Sequence, residues 1–236
     1  MKTIWLFLCA TTSLSAYAQH GHGMKGDYIP MGTLNVGISF QKFEGLNSRI
    51  ANFSQFKPLR EYGGTLQLGF LKEHKRVISD MGIIAGSSMS GDRDKKSSTI
   101  RFIGANAGIG YDVLKSDKVM LYPLAGLGFE KYQALFFKDN SGVAFNDVLQ
   151  TPSIKNTIQP VDFKNSFFNY RLGVGLMVKG NSTSRCSIGL QAGYTGSFKS
   201  HQWRSSDNQV LANAPSDNLS RFFVGIVFGS QPMHMK

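Results

Sequence analysis

A chain of 236 residues with 42% hydrophobic and 12% aromatic content is too apolar to remain disordered. Charged residues are 17% against a usual ~25%, and 26 glycines exceed the usual ~7% share. The formal net charge is +11, and beyond the first residues no stretch holds the roughly 20 apolar residues of a membrane helix, which excludes a helical membrane bundle.

Residues 1–18 have the form of an export signal. Met1-Lys2 is the positive start, Ile4 and its neighbours up to Ala10 are the apolar core, and Ala16-Tyr17-Ala18 is the small-x-small cleavage pattern. Cys9 lacks the preceding small residue of a lipoprotein cysteine. Cleavage removes it and leaves Cys186 alone, so no internal disulfide is expected. A polar leader, 19–30, follows.

Eight stretches of period-two alternation come next: 31–43, 62–71, 77–89, 99–113, 119–133, 167–178, 186–198 and 219–229. Most exceed the ~5–6 residues of strands in soluble sheets and are long enough for a tilted membrane strand. Short connections (72–76, 114–118, 179–185) alternate with long ones (44–61, 90–98, 134–166, 199–218). This is the pattern of an up-and-down transmembrane barrel. A tail, 230–236, ends the chain.

The two faces of each strand assign inside and outside. In 167–178 one parity reads Phe168, Tyr170, Leu172, Val174, Leu176, Val178, and the other Asn169, Arg171, Gly173, Gly175, Met177. In 99–113 Ile103, Ala105, Ala107, Ile109 and Tyr111 oppose Gly104, Asn106, Gly108, Gly110 and Asp112. A glycine-rich face makes a poor solvated surface, but it suits the interior of a narrow eight-stranded barrel. The branched and aromatic face then meets lipid, and closing the sheet satisfies every backbone polar group. Tyr111, Phe129, Tyr170, Phe198, Phe222 and Phe228 fall near strand ends on the lipid parity, as aromatic girdles do.

The expected fold is therefore all-β, an eight-stranded antiparallel up-and-down transmembrane β-barrel. This pattern resembles the small bacterial outer-membrane barrels of the OmpA transmembrane-domain and OmpX type. The segments Ala107-Gly108-Ile109-Gly110, Ala125-Gly126-Leu127-Gly128 and Leu172-Gly173-Val174-Gly175 are similar to the outer membrane protein beta-barrel domain families of Bacteroidetes. The resemblance covers about residues 31–229 and rests on pattern, with no diagnostic motif. It implies a Gram-negative cell outer membrane, with termini and short turns periplasmic and long loops extracellular. One departure is that Phe228 is followed by eight more residues instead of ending the chain.

Charges on the strands give the candidate site residues. Glu130 and Arg171 have lumen parity on adjacent strands and are expected to pair, because an inward charge needs a partner. Asp80, Asp112 and Arg221 are further polar lumen residues, which points to a plugged interior rather than an open pore. Lys42, Arg101 and Lys131 have lipid parity at the extracellular strand ends. There a basic residue costs about 0–1 kcal/mol rather than the ~2–4 kcal/mol of mid-membrane. They form a candidate rim for lipopolysaccharide phosphates, with snorkelling into water as the alternative.

Signals for other chemistry are weak. Of the five histidines, His20 and His22 lie in the leader, His74 in a short turn and His234 in the tail. Only His201 is in a long loop, near Ser200, Ser205 and Asp207, all ordinary loop residues. His20-Gly21-His22 and Met233-His234-Met235 are the sole metal-like clusters, and no cofactor motif occurs. The glycine repeats are not nucleotide loops, because no helix follows a strand to receive phosphate. No loop is a basic patch, so nucleic acid is not an expected partner. The expected role is structural, adhesive or partner-binding through the long loops, with a narrow solute channel as the alternative and a lipid-modifying enzyme third. Ile50, Phe53, Phe56, Val143, Phe145, Val148 and Leu149 either dock a partner or pack over the mouth. Outer-membrane lipid is the other expected partner.

Overall fold

The computed structural model describes residues 30–92, 95–180 and 186–230; the expected signal, most of the leader, and His20, His22 and His234 lie outside them. The order is β1 (Met31–Gln41), α1 (Glu44–Ala51), β2 (Tyr62–His74), β3 (Val77–Gly91), β4 (Ser97–Tyr111), β5 (Val119–Phe137), α2 (Phe145–Gln150), α3 (Pro152–Ile158), β6 (Val161–Val178), β7 (Cys186–Ser197), β8 (His201–Gln202), β9 (Arg204–Ser205), β10 (Ser216–Asp217) and β11 (Ser220–Ser230).

Strands β1 to β7 and β11 form an antiparallel sheet in which each pairs with the next, and β1 pairs with β11 to close it. The result is an eight-stranded barrel without a free lateral edge along its wall. Alternation sets the faces. Ile83, Ile103, Ile109 and Phe222 point outward and are about 60% exposed. Gln67, Asp80, Glu130, Asn169, Arg171 and Arg221 point inward and are buried. A water-soluble sheet has the opposite arrangement.

Tight turns close one end. Lys75 and Arg76 form a two-residue hairpin with φ of 48° and 73°, the left-handed backbone such turns need. Arg76 is held there by bonds to Asp112: its guanidinium donates to the carbonyl at 2.6 Å, and its own carbonyl accepts the Asp112 amide at 2.8 Å. The cation also lies 4.6 Å from the Tyr111 ring centre.

The other end departs from the sequence expectation. The alternation predicts one loop over 134–166, but β5 runs on to Phe137 and β6 begins at Val161. The stretch Ala134-Leu135-Phe136-Phe137 loses the alternation because its environment changes. Ala134 and Phe136 pack into the cap, while outward neighbours such as Gln133 and Asp162 hydrogen bond to each other at 2.6 Å. Helices α1, α2 and α3 also occupy segments expected as loop. The wall formed by β3 to β6 therefore stands taller than the side formed by β1, β2, β7 and β11, and the cap leans against it.

Candidate functional site

The lumen is filled in tiers. At the short-turn end Lys179 Nζ meets Glu73 Oε2 at 2.8 Å. Above this pair Met31, Leu71, Ile78, Met120, Tyr122, Leu124, Met177 and Val227 form an apolar plug. Tyr122 fits because Gly175 has no side chain: a Cβ there would collide with the phenol ring.

The next tier is polar. Arg171 lies 3.5 Å from Asp80, donates to Gln191 Oε1 at 2.7 Å and to Asn106 Oδ1 at 3.3 Å, and stacks 4.7 Å from the Phe223 ring centre. Gln191 also accepts from Asn35 at 3.0 Å. Higher still, Arg221 grips Glu130 through two bonds of 2.7 Å, donates to the Tyr132 hydroxyl at 2.8 Å and stacks 4.5 Å from the Phe102 ring centre. Tyr132 donates to Glu130 at 2.7 Å. Two cations and two carboxylates thus cancel in the interior. A cavity in this tier, lined by Asn35, Gln67, Asn106, Asn169, Arg171 and Thr195 among others, is about 20 Å³, room for about one water.

The expected Glu130–Arg171 pair does not form. Arg171 sits opposite Gly126 and Glu130 opposite Phe167, four positions apart in the register. That offset is about 13 Å along the strand, beyond side-chain reach. Glu130 instead finds Arg221 across the lumen, and Arg171 finds Asp80. Asp112 has a different place too: buried at the short-turn end, its carboxylate accepts the Leu114 and Leu121 amides at 3.2 Å. It ties the β4–β5 turn rather than joining the central network.

An aromatic cap seals the far end. Phe43, Leu46, Ile50, Leu59, Ile100, Phe102, Tyr132, Phe136, Phe167, Trp203 and Leu219 pack together there. Phe43 stands edge-on to Tyr132 at 5.3 Å and to Trp203 at 5.4 Å. Asp217 pins the cap: it accepts the first free amides of α1, Gly45 at 2.7 Å and Leu46 at 2.9 Å, and the Trp203 indole N–H at 2.7 Å. It supplies the anion a helix N-terminus favours where Phe43 has no capping side chain. Asn47 pairs with the Leu59 backbone through both amide atoms, tying α1 to the next segment.

This separates the loop hydrophobics. Ile50 and Phe56 pack over the mouth, whereas Phe145 is 76% and Leu149 71% exposed on α2, at the tip of the tall β5–β6 hairpin. The basic rim is also divided. Arg101 and Lys131 are diagonal neighbours on β4 and β5, with Arg101 donating to Gln133 at 2.9 Å. Lys42 stands three strands away beside Glu61 at 3.4 Å. The three do not make one cluster.

Outward aromatics form a belt below this rim. Phe168 stacks on Phe198 at 5.6 Å, Tyr170 meets Phe198 at 5.3 Å, and Tyr194 meets Phe222 at 5.0 Å. Phe40 pairs in register with Phe222 and Tyr62, and Phe129 with Phe168, which carries the belt from β5 round to β2. His201 lies edge-on to Phe167 at 5.9 Å. Among the described residues no hydrogen bond joins its imidazole to Ser200, Ser205 or Asp207. No group of three or more metal-ligating side chains occurs among them either. The lumen aromatics Phe102, Phe167 and Phe223 escape a reading of the sequence alone; their parity with Glu130, Arg171 and Arg221 is the available signal.

No family model matches the chain, and no curated protein matches it. Among solved structures it is similar to Ail, the attachment invasion locus protein of Yersinia pestis, at 13% identity and a TM-score of 0.39, over 85% of this chain and 99% of that one. A major outer membrane protein of Thermus thermophilus is similar at 11% identity and a TM-score of 0.48, over 85% and 98%. Neisserial surface protein A is similar at 8% identity and a TM-score of 0.45, over 86% and 96%. A likeness of this degree concerns the barrel architecture alone.

Proposed function

We propose that the chain is a non-enzymatic outer-membrane barrel of a Gram-negative envelope, closed to solutes, whose long loops are a rigid platform for a surface or envelope partner. The observation that carries this reading is the sealed lumen beneath a pinned cap, in a barrel whose outer wall is apolar. The belt of rings fits the position where a bilayer gives way to headgroups. A channel reading is disfavoured by the Arg221–Glu130 and Arg171–Asp80 pairs that cross the lumen and by the apolar cluster packed beneath them. Planar-bilayer recording of the reconstituted protein tests it: the expected trace is flat, and steps in the nanosiemens range overturn it.

Within this reading Phe145 and Leu149 are the partner contact, since both stand clear of the cap that buries Ile50. Photo-cross-linking from position 145 on intact cells is expected to trap an adduct, and the same probe at position 50 is not. Arg101 and Lys131, side by side above the belt, are the contact to lipopolysaccharide phosphate. R101A/K131A is expected to lower lipopolysaccharide retention on purification; equal retention removes that contact.

A further inference from the structure

The polar tier of the lumen holds one group that its ion pairs leave unused. Asn169 is 2% exposed, and its Nδ2 has no hydrogen-bond partner among the described residues. Buried amide donors are ordinarily bonded to protein or to ordered water, because leaving one unpaired is costly. The barrel nevertheless makes room for this amide. Asn169 faces Gly128 in register, and a Cβ on Gly128 would lie 2.7 Å from Asn169 Oδ1.

Asn169 lines the cavity of about 20 Å³ together with Asn106, Glu130, Arg171, Thr195 and Arg221. The cavity thus touches both ion pairs, Arg171–Asp80 through its cation and Arg221–Glu130 through both members. Contacts on the Arg171 side are long. Asn106 Oδ1 accepts from Arg171 at 3.3 Å and from Gln67 at 3.5 Å, and Asp80 stands 3.5 Å from Arg171. By contrast Arg221 and Glu130 are joined at 2.7 Å. Long bonds of this kind leave the Asn106 oxygen with capacity for a further donor.

These unused groups define the occupant. It must accept from Asn169 Nδ2, which no cation can do. Each arginine is already matched by a carboxylate, so an anion would bring an uncompensated charge into the interior. The volume admits about one water. A water meets all three conditions, giving a lone pair to Asn169 and its protons to the oxygens of Asn106 and Glu130.

We infer that the lumen binds a single water at Asn169, which bridges the Arg171 tier to the Arg221–Glu130 pair and joins the two into one hydrogen-bonded network. The water belongs to the interior of the barrel and is present whatever partner the loops engage.

The test is a crystal structure of the detergent-refolded protein, grown with bromide in place of chloride and at a resolution that shows ordered water. The expected map has one peak at about 2.7–3.2 Å from Asn169 Nδ2, without the anomalous signal of bromide. A bromide peak at that place, or an empty cavity, overturns the inference. Asn169→Leu gives a second reading through its urea midpoint in detergent. A bridged amide loses its bonds to the water and the midpoint falls. A dry, unpaired amide is better replaced by an apolar side chain, so a raised midpoint overturns the inference. Should Asn169→Leu fail to refold, the wild-type map decides.

Discussion

Arg221 and Glu130 bridge the lumen from strands that are not neighbours, β11 and β5, through two parallel bonds of 2.7 Å. Both side chains are almost wholly buried, at 2% and 5% exposure. The pair fixes the distance across the barrel where the polar tier gives way to the aromatic cap. Two strands, β6 and β7, stand between its members on one side, so no local hydrogen bonding in the sheet supplies this constraint.

Removing one member is expected to be costly, because the other remains charged in a nearly dry interior. E130Q should lower stability by about 3–5 kcal/mol, read from urea unfolding of the protein refolded into detergent or vesicles. E130Q/R221M, which removes both charges, should recover most of the loss. If the double variant is no more stable than E130Q, the pair is not the origin of the effect.

Interlocking of glycine with a large side chain predicts a second kind of defect. Gly175→Ala places a methyl against the Tyr122 ring and should cost about 1–3 kcal/mol by overpacking. Tyr122→Leu on that background should relieve part of it. An additive or neutral result would mean that glycine at this position merely leaves empty space.

The outer wall gives a depth-dependent prediction. Ile83 points outward midway along β3, whereas Gln133 points outward above the Phe129–Phe168 step of the belt. Ile83→Arg should cost about 2–4 kcal/mol and Gln133→Arg about 0–1 kcal/mol. Unfolding of both variants in vesicles checks this, and equal costs would refute the placement of the bilayer.

Asp217 is expected to control the cap without controlling the barrel. Asp217→Ala removes the acceptor for two α1 amides and the Trp203 indole; the Leu46 amide and the indole are buried donors worth about 1–3 kcal/mol when left unpaired, and the Gly45 amide is half-buried. Hydrogen exchange should rise over 44–51 and 199–218 while the strands stay protected. Unchanged exchange in those segments would show that the cap is held by aromatic packing alone.

The wall is readable in the sequence because one physical condition, apolar outside and confined inside, acts on every second residue of each strand. Where that condition stops, so does the pattern. At 134–137 the inward Ala134 and Phe136 join the apolar cap while the outward Leu135 and Phe137 stay apolar. In 161–166 the inward Val161 and Phe163 pack against the cap while the outward Asp162 and Lys164 are polar, so both stretches lose the pattern of the wall. The partners of Glu130 and Arg171 are hidden for a different reason. Parity tells which face a residue takes, but pairing across a lumen depends on register summed over several strands, which alternation does not carry. Helix α1 is obscured because its cap is borrowed: Asp217, not a residue beside Glu44, satisfies its first amides.

The central claim is that this sheet faces lipid on its outside. The most direct measurement is refolding of the purified chain from residue 19 onward in parallel in plain buffer and in detergent micelles, followed by circular dichroism, sedimentation and heat-dependent gel mobility. The account predicts a monomeric, strand-rich, heat-shifted species in micelles and aggregation in buffer. A monomer that folds cooperatively in buffer alone would contradict it.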